Sequence, residues 1–345
     1  MATSVALPVL YKQPEAWSLP SSSVASIQVE AYLRFTGLPF HVEVCSSASK
    51  SPTGQIPALE KEGEVAGLED GALPVPSAKG VLSEFASARA CTHFAARHVK
   101  DIDAHLSSAQ RAELLAYTVL VETRLDTATV VSAWCEPSGF AEMRKVSGQL
   151  PFPLNHIIPW STAREVRARH GHLDADDLYT QAVGALLALS DRLASSPGPF
   201  FFGASPCSLD ALLAGHLMYY RLSKAAPPVL HDKVAASPKL SAFVELVARD
   251  YFAVPVSAPP PRSLDDDASW SDAAKGHTKS KAQTAELTDS ERQFRRNSRL
   301  WLLGCGVALV AYCVMSGQYI KLDFRPQEMF GDDDGDEEED EGDDE

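Results

Sequence analysis

The chain has 345 residues, 45 % of them hydrophobic, and a net charge of −15. That length allows about two domains, and the acidic balance argues against nucleic acid as a partner. The acidity is local: Asp332 to Glu345 hold 12 acidic residues in 14, and setting aside that −12 leaves −3 for the remainder.

In chain order, the start "MATSVALPVLYKQPEAWSLP" has no basic region before its apolar patch, no cleavage signature and no Arg before Arg34. It reads neither as a secretory signal nor as an arginine-rich transit peptide. Leu7–Tyr11 suits a short buried strand. After a Ser- and Pro-rich turn, Val24, Ile27, Ala31 and Phe35 recur at helical spacing. Serines before that run can cap the helix and Gly37 suits its end. Leu38–Val44 alternates as a second strand. Gly54–Gly67 reads as strand, turn, strand, with Pro57 at the strand start, and another helix opens near Ser83. The order β-α-β then β-β-α is that of a thioredoxin-like domain, residues 1–80. In that fold the proline before the third strand is usually cis, so a cis Ile56–Pro57 bond is expected, although cis is the minority state of X-Pro bonds.

Residues 81–252 are helical in pattern. "SSAQRAELLAYTVLVETRLDTATVVSAWCE" predicts one helix of about 26 residues, too long for a strand. In "DADDLYTQAVGALLALSDRLASS", Asp174 or Asp176 can cap a helix whose Leu178, Ala182, Ala185, Leu186 and Leu189 form one stripe. Pro197, Gly198 and Pro199 break it. A new helix begins near Ser205–Ser208 with Asp210 in its first turn, and "SPKLSAFVELVARDYF" is the last. A small α/β domain followed by an all-helical one is the architecture of glutathione transferases.

Residues 253–298, rich in Pro, Ser and Asp, read as a flexible linker. Leu300 to Ile320 then run for 21 residues without a charge, about 31 Å as a helix and close to the hydrocarbon thickness of a bilayer. Trp301 and Tyr319 sit near its ends. Arg292, Arg295, Arg296 and Arg299 before it outweigh Lys321 and Arg325 after it, which places the amino-terminal side in the cytosol. The expectation is a single C-terminal transmembrane helix at 299–320, inserted after synthesis, with an acidic disordered tail at 321–345. The tail reads as a solvated segment or as a docking surface for basic partners.

The six cysteines form no CxxC and the ten histidines no metal-site spacing. The pattern fits a reducing compartment and no metal site.

"FFFGASPCSLDALLAGHL" (Phe200–Leu217) resembles the signature of the metaxins: an aromatic run, Gly, Pro, Ser-Leu-Asp-Ala, then Gly-His-Leu. "AYTVLVETRL" with Trp134, "LPFPLN" (Leu150–Asn155), "LYTQAVGALLALSDRL" and "AYLRFTGLPF" resemble further metaxin stretches in the same order. The match covers about residues 5–252. The resemblance implies a glutathione-transferase-like, non-enzymatic protein on the cytosolic face of the mitochondrial outer membrane. It would act in protein import and β-barrel insertion within the sorting and assembly machinery. The implied partners are the β-barrel assembly pore, other subunits of that machinery, precursor proteins and another metaxin. Two departures stand out. Cys207 occupies the cap position before Asp210 where Ser or Thr is usual, so Ser205 or Ser208 is the expected substitute. The acidic tail is foreign to the pattern.

The rival is a membrane-anchored glutathione transferase. That chemistry needs a hydroxyl or thiol just after the first strand to stabilise a thiolate, and a Glu/Gln-Ser pair to hold the γ-glutamyl end of glutathione. The candidate hydroxyls are Tyr11, Ser18 and Ser21, which read better as core, turn and cap residues. Where the pair belongs, Ser83 precedes Glu84 and reverses the order. No catalytic, cofactor-binding or metal-ligating residue is assigned, and no cofactor is expected.

Overall fold

Proline decides where the sheet starts. Pro8 and Pro39 have no N–H to give to a ladder. Accordingly β1 (Val9–Lys12) and β2 (His41–Val44) begin after them rather than at Leu7 and Leu38. The two run parallel, Val9 opposite His41 through Lys12 opposite Val44. β3 (Ala58–Lys61) pairs antiparallel with β1, and β4 (Glu64–Val65) antiparallel with β3, giving the thioredoxin-like order β2-β1-β3-β4. Glu62 and Gly63 join the last two strands at φ values of 56° and 86°, as a two-residue hairpin requires. The Ile56–Pro57 bond is cis, as expected. Side chains alternate along β1. Leu10 enters the main core with Leu59, while Tyr11 joins Cys45, Ile56 and Ala58 in a smaller cluster.

The computed structural model describes residues 7–66, 81–150, 154–253 and 256, all within one compact unit, Met1–Ser263. A second unit, Leu264–Glu345, lies outside the described residues, and with it the expected membrane helix and acidic tail. Among the described residues no helix is long and apolar enough to cross a membrane.

α1 (Val24–Thr36) begins where Ser23 accepts the Ser26 N–H at 3.4 Å and ends at Gly37, left-handed at φ 70°. Every residue of α1 except Arg34 is buried, because α2 (Val81–His98) and a central helix pack against it and its apolar side chains share one core with Leu10 and Leu59 of the sheet. α3 (Ser108–Val121) opens with a reciprocal Ser107–Gln110 capping box. It continues through a π-helical turn, Glu122–Asp126, into α4 (Thr127–Trp134). The long helix expected here is thus continuous but carries one wide turn, with Leu125 and Asp126 both buried.

α5 (Pro137–Ser147) and α6 (Leu154–His170) follow, and α9 (Pro228–Ala236) comes later. Sequence periodicity singled out none of the three. Two begin on a proline and the third contains Pro159, signals that read locally as turns. α7 (Ala175–Ala194) is capped by Asp174, and its expected stripe is buried. It ends before Pro197–Gly198–Pro199. α8 (Ser208–Leu222) is the central helix, packed on α1, α3, α9 and α10 (Pro238–Asp250). A thioredoxin-like sheet followed by these helices is a glutathione-transferase-like fold.

Candidate functional site

The first cluster lies where β1, the following turn and α2 meet the N-terminus of α1. Tyr11 donates from its hydroxyl to Glu60 Oε2 of the neighbouring strand at 2.7 Å. Ser18 is exposed in a turn at φ 64°. Ser21 is fully buried and accepts the Ser23 N–H at 3.2 Å. Ser22 Oγ donates to Gln13 Oε1 at 2.9 Å, and Gln13 Nε2 donates to Glu84 Oε1 at 3.0 Å. Ser23 Oγ donates to the other carboxylate oxygen of Glu84 at 2.9 Å. Loss of hydration pushes the Glu84 carboxyl up to about 7, against the two donors that favour its ionised form. So Glu84 at the start of α2 is held by two residues of the β1–α1 segment. Tyr11 and Ser21, two of the three hydroxyls weighed for thiolate stabilisation, hydrogen-bond within the chain.

One residue deeper, Lys12 donates to Glu30 Oε2 at 2.7 Å and to the Pro20 carbonyl at 2.8 Å. Arg34 closes on Glu30 Oε1 at 2.7 Å and reaches the Tyr251 carbonyl at 2.6 Å, its guanidinium lying over the Phe252 ring. This charge set joins β1, α1 and the segment after α10.

The second cluster opens α8. Cys207 is the N-cap, with extended backbone; neither Ser205 nor Ser208 substitutes for it. The capping falls to acidic residues. Asp210 accepts the Cys207 N–H at 2.8 Å, the Cys207 S–H at 2.9 Å and the Phe201 N–H at 3.1 Å. The Ser208 N–H goes to Asp103 Oδ1 at 2.8 Å. Burial pushes the Asp210 carboxyl up to about 6 while these donors hold it down.

The third cluster escaped the sequence. His216 lies with Nε2 2.9 Å from Asp126 Oδ1 and Nδ1 3.1 Å from Thr129 Oγ1. Thr129 is 2.8 Å from the Tyr220 hydroxyl, and Tyr220 reaches the Leu125 carbonyl at 3.1 Å. The Phe85 ring stacks on the imidazole at 5.8 Å. Hydroxyl, imidazole and carboxylate are the members of a nucleophilic set. Here, however, His216 has no exposed surface and the Thr129 hydroxyl is engaged by Tyr220. The arrangement joins α8 to the π turn and α4. Only the His in Gly215-His216-Leu217 hinted at it.

The described thiols are free and poorly reactive. Burial pushes Cys45 up to about 11 and Cys91 up to about 12. Cys207 is raised further by burial and by Asp210. Thiols held in the protonated form are weak nucleophiles. Among the described residues no group of three His, Cys, Asp or Glu could hold a metal ion.

Residues 26–163 match a family model described as an outer mitochondrial membrane transport complex protein (Tom37). The chain is 29 % identical over 316 residues to metaxin-1 of Macaca fascicularis, covering 87 % of each chain. It is 29 % identical over 243 residues to metaxin-2 of Mus musculus, covering 68 % of this chain and 84 % of that one. Metaxin-3 of Danio rerio is 26 % identical over 251 residues, covering 68 % and 73 %. Similar solved structures include glutathione transferase F7 from Populus trichocarpa, at TM-score 0.45 and 17 % identity over 72 % of this chain and 96 % of that one. Glutathione transferase GSTFuA3 from Phanerochaete chrysosporium has TM-score 0.47 and 14 % identity over 71 % and 97 %.

Proposed function

We infer, on the premise that this chain belongs to the metaxin family, that it is a non-enzymatic subunit of the sorting and assembly machinery of the mitochondrial outer membrane. In this reading it acts in protein import and in the insertion of β-barrel proteins. The observation that carries it is similarity to metaxin-1 along 87 % of the chain, joined to a family model named for an outer mitochondrial membrane transport complex. The partners are the β-barrel assembly pore, other subunits of that machinery, precursor proteins and another metaxin.

The organisation follows the sequence. Residues 1–80 and 81–252 form a cytosolic body, 253–298 a linker, 299–320 a membrane anchor and 321–345 an acidic tail. Anchoring restricts the search for partners to the membrane plane, so modest contacts suffice. The chemistry of the first cluster supports a binding role: Tyr11, Ser21 and Glu84 are engaged by the chain itself, and the buried thiols are protonated.

The test is purification of the tagged full chain from detergent-solubilised mitochondrial outer membranes. A β-barrel assembly pore should co-elute; an eluate without it rules this reading out. Incubation with glutathione and a chromogenic electrophile separates the rival, because turnover above the uncatalysed rate would make the chain a membrane-anchored transferase.

A further inference from the structure

The exposed surface of α6 changes character along its length. Its inner side is closed by Pro159, Ala163 and Val166, which are buried. Its first two turns direct Leu154, Ile157, Ile158 and Trp160 outward, 43, 52, 37 and 48 % exposed. No charged residue lies between them. The turns that follow carry Arg164, Arg167 and Arg169 against one acid, Glu165, which pairs with Arg169 at 2.9 Å. The Arg164 guanidinium lies over the Trp160 ring, 5.5 Å from its centre, and Arg167 over Phe140 of α5 at 5.6 Å. α5 adds exposed Arg144 and Lys145, with Lys145 paired to Glu142. The result is one apolar end with a tryptophan and an excess of cations beside it.

Singly exposed apolar side chains need no explanation; a contiguous set beside arginines does. A stable protein–protein interface engages about 20–30 residues a side, and this patch is far smaller. It does suit a surface that accepts aliphatic side chains, places indole at the headgroup level and carries negative charge. We propose that the α6 face, Leu154, Ile157, Ile158 and Trp160 with Arg164 and Arg167, rests on the surface of an anionic phospholipid bilayer. The aliphatic side chains enter the acyl boundary, Trp160 sits among the headgroups, and the arginines meet lipid phosphates. Such a contact is peripheral. It rests on the reading above that the chain is already held at the membrane, so that a small patch suffices once the search is confined to the bilayer plane. Its consequence is orientation: the α6 face is turned toward the bilayer.

The full chain, reconstituted into vesicles, tests this directly. The vesicles are phosphatidylcholine with or without phosphatidylglycerol, with acyl chains brominated to quench nearby tryptophan. The wild-type chain should lose more emission in the anionic vesicles than Trp160→Phe does, because the other tryptophans form a common background. Neutralising Arg164 and Arg167 to Gln should weaken the dependence on phosphatidylglycerol, by roughly fivefold per arginine. Both positions are exposed, and an unchanged melting transition checks that the variants fold. If the chain floats with vesicles, resists carbonate, and Trp160→Phe matches wild type, the α6 contact is overturned while the anchor stands. The α6 contact is likewise overturned if Trp160 is shielded only after the assembly machinery is added, since a protein then covers this face. If carbonate strips the chain but Trp160 is quenched in anionic vesicles alone, the anchor falls and the α6 contact stands. A chain that does not float at all overturns both.

Discussion

Asp210 performs at α8 what the residue in the cap position cannot. A thiol is a weak acceptor, so the cap depends on a carboxylate that takes two backbone N–H groups and the S–H of Cys207. Asp210→Ala leaves the buried N–H groups of Phe201 and Cys207 unpaired, at about 1–3 kcal/mol each. Urea titration should show a loss of about 2–6 kcal/mol. Cys207→Ser keeps a donor to Asp210 and adds a better cap, so the same titration should place it within about 1 kcal/mol of wild type. Glu84 makes a prediction in pH. Its carboxyl rises from the ordinary 4.5 to about 7 in the folded chain. An acid with a higher pKa folded than unfolded binds its proton more tightly in the folded state. Its contribution is full below about 4.5 and is lost as the pH rises through about 7. The stability of the wild type relative to Glu84→Gln should therefore fall between those values; a pH-independent difference would remove the desolvated environment assigned to Glu84. These roles were half legible. Asp210 in a first turn reads as a dipole partner, but its reach to Phe201 needs the loop before α8 to fold back.

At the scale of elements, the metaxin-like signature acquires a packing reason. A Cβ on Gly215 would stand 2.6 Å from Gln28 Cγ and 2.9 Å from the Val24 carbonyl. The glycine therefore sets how closely α8 approaches the first turns of α1. Gly215→Ala should cost about 1–3 kcal/mol by forcing the two helices apart, read from thermal melts alongside Gly184→Ala on α7, where a Cβ meets nothing. Strands, the caps of α1 and α7 and the stripe of α7 were legible because each is set by residues within one or two turns of one another. The π turn was not: it leaves the apolar spacing of a long helix nearly intact, and its payoff, Asp126 against His216, comes from a residue 90 positions away. α5 and α9 were missed because their opening prolines read as breaks, although proline at a first helical turn is compatible with the helix; in α6 the proline, Pro159, lies inside the helix.

For the whole chain, the prediction concerns location. Deleting residues 299–345 should move the protein from the membrane pellet to the cytosolic fraction and weaken its recovery with the assembly pore. Retention of the truncated chain on mitochondria would mean that the folded body localises it through its own contacts. Taken alone, the amino-acid sequence determined the order of the strands, the helices other than α5, α6 and α9, the cis proline before β3, the family resemblance and the charge asymmetry. The elements follow from local periodicity and caps and the asymmetry from composition, while the cis bond follows from the expected thioredoxin-like fold and the resemblance from stretches such as Phe200–Leu217. Only the tertiary structure decided that Glu84 is held by Gln13 and Ser23, that Lys12, Glu30 and Arg34 form one charge set, and that α6 turns apolar side chains outward. Those facts depend on which distant segments share a surface, and no local pattern of residues carries that information.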